Sequence, residues 1–311
     1  MQFLMSHIFT ILATLLFLYA LVTGIFLLME NRRTQSTLAC MLVLFFAPGI
    51  GLLIYLFFGR DNKGFSKRRK LLMQDLEANA LPLLSPLLAR QDAELVRLET
   101  QSIGRKKLAM PVRRNSLSVL TTRNQIAIQQ DAAKFYPSLV EDIKAAQHSI
   151  HLQYFIWGVD PFTDGLKQIL IEKVRAGVEV RLLYDPIGSQ AHVGRRRYVR
   201  DMRAEGIQMA PTSPPYELHT ISYRNHRKIT VIDGAIGYTG GMNIGQEHLD
   251  GGKGFDSWRD TQVRLVGESA AILQAIFMVD WYNAVRESLF YAKYFPAHAM
   301  DLRKVTFPCR S

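Results

Sequence analysis

Residues 225–243 read NHRKITVIDGAIGYTGGMN, and this stretch predicts both the local fold and the chemistry of the chain. Two apolar segments flank the dipeptide Asp233-Gly234, which is typical of a tight β-hairpin turn. Side chains alternate between the two faces of a strand, so His226 and Lys228 should share one face. We therefore predict a hairpin that presents an imidazole and an ammonium group together to a cleft.

Strands and helices alternate around this hairpin. Predicted strands cover residues 149–158, 178–185, 227–233 and 235–241, and predicted helices cover residues 165–177, 195–206 and 269–285. Alternation of this kind is typical of α/β layer proteins. We expect an α/β domain over residues 113–290, with a mixed sheet flanked by helices.

The hairpin carries the groups that attack at a phosphodiester requires. The imidazole of His226 can act as a nucleophile, and the neighbouring cation of Lys228 can stabilise charge on phosphate oxygens. Gly240 and Gly241 allow the backbone to approach a ligand closely, and Asn243 adds an amide donor. The sequence contains no metal-ligand spacing and no GxxxxGK[ST] or GxGxxG motif, so we expect neither a metal nor another cofactor.

Residues 1–62 are predicted to form a membrane module of two transmembrane helices. Residues 8–29 and 37–58 are each 22 residues without a charge, and a bilayer core of about 30 Å needs about 20 apolar residues. Two arginines lie between these segments, whereas six basic residues follow the second one before residue 71. Because positive flanks stay in the cytoplasm, the C-terminal domain should be cytoplasmic. A cleaved signal peptide is the alternative for the first segment, but a second apolar run follows it at once.

The net charge of +11 is concentrated beside the predicted membrane module. Residues 63–125 carry +8 of it, whereas residues 126–311 carry +2. A uniformly basic nucleic-acid binder would spread this charge differently, so we predict no nucleic-acid partner. Residues 63–112 are interpreted as a basic juxtamembrane connector that meets anionic lipid head groups. The alternative is that these charges only fix the orientation of the chain in the membrane, which by itself would explain them.

The pattern of residues 226–243 resembles the HKD signature of the phospholipase D superfamily, H-x-K-x4-D-x6-G-G-x-N. PGIGLLIYLFFGR (48–60) is similar to the membrane module of the bacterial cardiolipin synthases. Four further segments are similar to the first catalytic half of that family: HLQYFIWGVD (151–160), AGVEVRLLYDPIGS (176–189), SWRDTQVRLVG (257–267) and FMVDW (277–281).

This resemblance implies a multi-pass phosphatidyltransferase of the bacterial cell membrane. His226 would attack the phosphorus of phosphatidylglycerol, release glycerol and form a phosphatidyl-histidine. A second phosphatidylglycerol would then accept the phosphatidyl group to give cardiolipin. Lys228, Asn243, Gly240 and Gly241 would hold the phosphate.

The resemblance also assigns roles to acidic residues. Asp233 belongs to the catalytic motif, although in the family this aspartate is mainly structural. The carboxylate that orients the histidine usually lies further along the chain. Asp260 is the first candidate for this role and Glu247 is the second.

The sequence departs from the family in one respect, because the family has two HKD motifs that meet at one site and this sequence has one. Residues 291–311 are therefore interpreted as a tail at the expected start of a missing second half. A truncated gene product, a homodimer that pairs two copies of His226, and a separate chain supplying the second half all remain open. Two rival functions are a homodimeric phospholipase D-type nuclease or phosphodiesterase, and a non-catalytic membrane protein that binds anionic lipid.

Overall fold

The computed structural model describes residues 76–101, 119–189, 196–212, 224–251 and 258–296, with isolated positions between 7 and 25 and at 74, 107 and 111. The chain divides into two compact units, Met1–Lys67 and Arg68–Ser311. The predicted span at 37–58 and much of the one at 8–29 lie outside the described residues. Among the residues that are described, no helix has the length and apolar character needed to cross a membrane.

The described elements of the second unit alternate between helices and strands. The helices are α1 (Leu81–Gln101), α2 (Ala132–Ala145), α3 (Pro161–Arg175), α4 (Arg196–Ala204), α5 (Glu247–Asp250) and α6 (Glu268–Val285). The strands are β1 (Asn124–Gln129), β2 (Ser149–Tyr154), β3 (Glu179–Tyr184), β4 (Gln208–Pro211), β5 (Ile229–Ile232), β6 (Ile236–Gly240) and β7 (Gln262–Gly267). A π-helical turn, Leu76–Ala80, precedes α1, and a 3-10 turn, Ala292–Tyr294, follows α6.

The seven strands form one mixed sheet in the order β1-β7-β6-β5-β2-β3-β4. β2, β3 and β4 are parallel, as expected where a helix connects successive strands. All other neighbouring strands are antiparallel. This topology confirms the predicted α/β domain with a mixed sheet.

Helices cover both faces of the sheet. Apolar side chains of α2, α3 and α4 are buried on one face, against Leu152 and Leu182. Side chains of α1 and α6 pack on the other face, where Leu273 contacts Ile229 and Val231. Because β2 and β5 are covered on both sides, every residue of these two strands is buried.

The predicted hairpin around Asp233-Gly234 is confirmed. β5 and β6 are antiparallel neighbours, and Asp233 and Gly234 have φ values of 51° and 64°. Two successive residues with positive φ define the turn whose twist matches that of the flanking strands, which explains the Asp-Gly pair. A Cβ atom on Gly234 would also lie 2.1 Å from the carbonyl oxygen of Tyr294, so only glycine fits there.

β5 is shorter than the predicted strand over 227–233. Its ladder with β2 ends at the pair Gln153–Ile229, one residue before β2 ends at Tyr154. His226 and Lys228 therefore precede the strand and lie in irregular backbone. The predicted strand over 149–158 is likewise shorter in the structure, where β2 ends at Tyr154.

Candidate active site

His226 lies at the end of the sheet where β5 begins, and its side chain is exposed. Its ring packs against Phe155, with 4.1 Å between the ring centroids. Lys228 Nζ lies 2.8 Å from His226 Nδ1 and donates to the carbonyl oxygen of His226 at 2.9 Å. The structure thus brings together the imidazole and the ammonium group that the sequence places two residues apart.

Charge and burial set the protonation of this pair. Desolvation lowers the pKa of His226 below its usual 6.5, and the cation of Lys228 lowers it further, against an opposing effect of the Asp185 carboxylate. Lys228 is only 2% exposed, and its burial lowers its pKa to about 8, although Asp260 opposes this effect. A neutral imidazole beside a charged ammonium group is therefore favoured near pH 7.

Asn243 is hydrogen-bonded to the segment that follows Phe155, the residue whose ring contacts His226. The backbone N–H of Ile156 donates to Asn243 Oδ1 at 3.0 Å, so the amide NH2 is the group left to donate to a ligand. The N–H of Asn243 donates to His248 Nε2 at 3.2 Å, and the Tyr136 hydroxyl donates to its carbonyl oxygen at 3.0 Å. Asn243 is itself buried, so its orientation is fixed before any ligand binds.

The two glycines of the motif make room for the segment that contains Asp260. A Cβ atom on Gly241 would lie 2.0 Å from Asp260 Oδ1, and one on Gly240 would lie 2.3 Å from the carbonyl oxygen of Thr261. The N–H of Gly241 donates to that same carbonyl at 3.0 Å, so it is already occupied. The geometry therefore gives both glycines a packing role, whereas their predicted contact with phosphate stays a prediction.

Asp233 lies at the far end of β5 from His226. The strand that lies between the two has four residues and spans about 13 Å at about 3.3 Å per residue. The Asp233 carboxylate accepts three backbone N–H groups, from Gln147 at 2.8 Å, His148 at 2.7 Å and Ser149 at 2.8 Å. These bonds fasten the hairpin turn to the start of β2, so the structure gives this motif residue a structural position and does not place it in the reacting group.

The two candidates for orienting His226 lie in different surroundings. Burial lowers the pKa values of Lys228 and His248, and Asp260 opposes this effect on both. Glu247, in α5, opposes it on His248. Among the described residues no hydrogen bond joins either carboxylate to His226, so the orienting role of each stays a prediction.

The sequence reasoning missed a third carboxylate, Asp185, which follows β3 and is fully buried. It accepts the backbone N–H groups of Ile187 and Gly188 and pairs with Arg224 Nη1 at 2.5 Å. It also opposes the lowering of the His226 pKa. An aspartate at the end of the apolar strand VEVRLLYD was the only local signal of this role.

A fourth carboxylate, Asp280 of α6, was also missed. It binds Asn225 and Arg227, the two residues on either side of His226. More than 50 positions separate Asp280 from Asn225 and Arg227, and no periodic or spacing signal links them.

In the part of the chain that the structure describes, no three His, Cys, Asp or Glu side chains are grouped closely enough to hold a metal ion. The candidate site combines an imidazole and an ammonium group, in contact with each other, with an amide donor on a neighbouring segment. Such a set can attack a phosphodiester, bind its equatorial oxygens and stabilise the charge that develops on them.

Comparisons with known proteins agree with this chemistry. Residues 139–281 match the family described as cardiolipin synthase, phospholipase D-like domain, and residues 15–60 match the phospholipase D-nuclease N-terminal family. The chain is 34% identical over 290 residues to a cardiolipin synthase of Alkalihalophilus pseudofirmus, covering 92% of this chain and 56% of that protein. It is 36% identical over 266 residues to a cardiolipin synthase of Geobacillus kaustophilus, covering 84% and 51%.

The chain thus spans about half the length of the curated relatives it matches. Among solved structures, NucT from Helicobacter pylori aligns with 52% of this chain and 99% of its own, at 12% identity and a TM-score of 0.42. The resemblance to cardiolipin synthases that the sequence predicted is confirmed. Residues 139–281 are therefore similar to the phospholipase D-like domain of the cardiolipin synthases.

Proposed function

We propose that the chain is the part of a cardiolipin synthase-like phosphatidyltransferase that carries one nucleophilic histidine. The observation that supports this most directly is the exposed His226 ring with Lys228 Nζ 2.8 Å from its Nδ1. The relatives named above are cardiolipin synthases, which favours phosphatidylglycerol as both donor and acceptor of the phosphatidyl group.

In the first step His226 attacks the phosphorus of a phosphatidylglycerol. Lys228 exchanges its contact with Nδ1 for a phosphate oxygen, the imidazole proton moves to Nδ1, and the lone pair on Nε2 forms the N–P bond. The P–O bond to the glycerol group breaks, and that oxygen takes up a proton as glycerol leaves. Lys228 and the amide of Asn243 stabilise the charge on the equatorial oxygens.

In the second step the hydroxyl of another phosphatidylglycerol attacks the phosphatidyl-histidine. The P–O bond of cardiolipin forms, the N–P bond breaks, and the hydroxyl proton is removed by a base. One phosphodiester replaces another, so no nucleotide is consumed.

A second HKD half is proposed to supply the acid and the base. This half is a second copy of the chain, a separate chain or a further part of the same protein. Asp260 remains the proposed partner of the Nδ1 proton in the first step, with Glu247 as the second candidate.

The site is proposed to work at the cytoplasmic face of a bacterial membrane. Residues 8–29 and 37–58 would anchor the chain through two spans, and the basic connector at 63–112 would lie against anionic head groups. Fusing reporters to the C-terminus tests this orientation: a fluorescent reporter should be active, and a reporter that requires the periplasm should be inactive.

Expression in a bacterial strain that lacks cardiolipin tests the function. We expect cardiolipin in the lipid extract when the chain is present together with a second HKD half, and none with His226→Ala. A phosphatidylglycerol labelled in its phosphate should leave acid-labile, base-stable label on the wild-type chain and none on the variant.

The rival functions give other results. Cleavage of nucleic acid or of a soluble phosphodiester that depends on His226, without a lipid product, would indicate a nuclease or phosphodiesterase. Binding of anionic vesicles that is unchanged in His226→Ala, without any turnover, would indicate a non-catalytic lipid-binding protein.

A further inference from the structure

The position of His226 requires an explanation because the residue lies outside the regular sheet. Residues 224–228 form no helix or strand, and the ladder between β5 and β2 begins only at Ile229. An attacking histidine has to be held within a fraction of an ångström of its productive position, since small displacements reduce the rate steeply. The hydrogen bonds of the flanking residues therefore decide how well His226 is placed.

Both neighbours of His226 bind one carboxylate, that of Asp280. Asn225 Nδ2 donates to Asp280 Oδ2 at 2.6 Å. Arg227 Nη1 donates to Asp280 Oδ2 at 2.8 Å and to Oδ1 at 3.1 Å. The N–H of Arg227 also donates to Asn225 Oδ1 at 3.1 Å, so the two neighbours are joined to each other as well.

The same carboxylate is tied to the sheet. Gln153 Nε2, from the buried strand β2, donates to Asp280 Oδ2 at 2.8 Å. The side chain of Asp280 is 12% exposed, which makes its hydrogen bonds stronger than those of a surface carboxylate. The side chains of Phe277 and Trp281 anchor this part of α6 in the core.

We propose that Asp280 is a positioning residue for His226, acting from α6 through the two residues that flank the histidine. This inference rests on the proposed function only for its kinetic consequence. The geometric part, that Asp280 sets the place of the imidazole, holds whether or not the chain transfers a phosphatidyl group.

A carboxylate is needed at this position because three donors converge on it. Asp280→Asn keeps the size of the side chain, and its oxygen can still accept at the position of Oδ2, where Asn225, Gln153 and Arg227 donate. It loses the negative charge that pairs with Arg227, and its NH2 group faces Arg227 Nη1 in place of the acceptor Oδ1. We therefore expect the segment around His226 to lose its fixed position while the core of the domain stays folded. Asn283→Ala is a matched control, since Asn283 is an exposed residue of the same helix.

The first measurement follows the imidazole itself. The full chain, labelled with ¹³C at the histidine rings, is titrated by NMR in detergent, and His226→Ala assigns the resonance. Burial and Lys228 lower the pKa of His226, so loss of its fixed position should move the midpoint up toward 6.5 in Asp280→Asn. Removing a nearby negative charge would by itself move the midpoint down, so the direction separates repositioning from a direct effect of charge.

The second measurement is kinetic. With phosphatidylglycerol vesicles and the second HKD half present, we expect Asp280→Asn to reduce kcat by about tenfold or more while KM changes less than about twofold. The double variant Asn225→Asp, Asp280→Asn exchanges donor and acceptor, and it should recover part of the lost kcat relative to either single variant.

A midpoint for Asp280→Asn that equals that of Asn283→Ala, or that moves down, would overturn the proposal. So would a kcat within about twofold of wild type at a temperature where both proteins are folded. A wild-type chain without transferase activity would count against the proposed function alone, because the NMR titration still decides the position of His226.

Discussion

Lys228 is nearly fully buried, yet its proposed contact with a phosphate requires a charged ammonium group. The imidazole of His226 is neutral above its lowered pKa, and the ammonium group of Lys228 is charged below its lowered pKa of about 8. Both conditions hold only in the pH range between these two values. We expect kcat/KM to rise with pH through a midpoint below 6.5 and to fall again near 8. A rate that is flat between pH 7 and pH 9.5 would contradict the assignment of Lys228.

The burial of Lys228 also predicts how stability depends on pH. Between pH 8 and 10.5 the unfolded chain holds a proton on this residue that the folded chain has released, so the free energy of unfolding should rise with pH there. Lys228→Met removes the buried charge, and we expect it to stabilise the domain at pH 7 by about 1–3 kcal/mol and to remove this rise. Urea unfolding followed by tryptophan fluorescence measures both effects, because all three tryptophans lie in the second unit.

Asp233 should behave differently from the other motif residues. Asp233→Asn tolerates the positive φ but loses at least one of the three N–H bonds, so we expect a loss of about 1–3 kcal/mol in the free energy of unfolding. Below the unfolding transition kcat should stay within about twofold of wild type. A kcat reduced by a hundredfold or more in a fully folded variant would place Asp233 in the reacting group instead.

At the scale of elements, the close contact between the end of β6 and the start of β7 can be tested at Gly241. Gly241→Ala places a Cβ atom on the Asp260 carboxylate, which has to leave its present position, and we expect this to weaken its effect on Lys228. Since Asp260 raises the pKa of Lys228, the alkaline limb of the pH–rate profile should shift to lower pH, and the domain should lose about 1–3 kcal/mol.

Gly165→Ala provides the comparison for that variant. Gly165 lies in α3, and a Cβ atom there would meet nothing within 4 Å. Alanine in a helix interior is favoured over glycine by roughly 0.5–1 kcal/mol, so this variant should be more stable than wild type.

An unshifted alkaline limb in the pH–rate profile of Gly241→Ala would show that Asp260 does not act on Lys228.

The elements differ in how far the sequence predicts them. The β5–β6 hairpin was predictable because Asp233-Gly234 fixes its turn locally. The place where β5 begins was not, since it depends on where the distant strand β2 ends. Asp185 and Asp280 reach the site through the order of strands and the packing of α6. The sequence offers no local signal for Asp280 and, for Asp185, only its position at the end of an apolar strand.

At the scale of the whole molecule, the proposed second histidine can be sought by mixing variants. If two copies of the chain form one site, wild-type chains mixed with a threefold excess of His226→Ala should retain about one quarter of their activity per wild-type chain, given random pairing. Lys134→Ala, at an exposed position on α2, serves as the inert competitor. Undiminished activity in the mixture would instead favour a separate second half.

The strand order of the sheet has a consequence for folding. β1 pairs Asn124 with Gly267, so the first and last described strands of the sheet are direct neighbours. Closing so long a loop is entropically expensive, whereas the β5–β6 hairpin needs only a tight local turn. We expect the segment around His226 to form early and β1 to join the sheet last, which makes the pairing of β1 the step that limits the refolding rate.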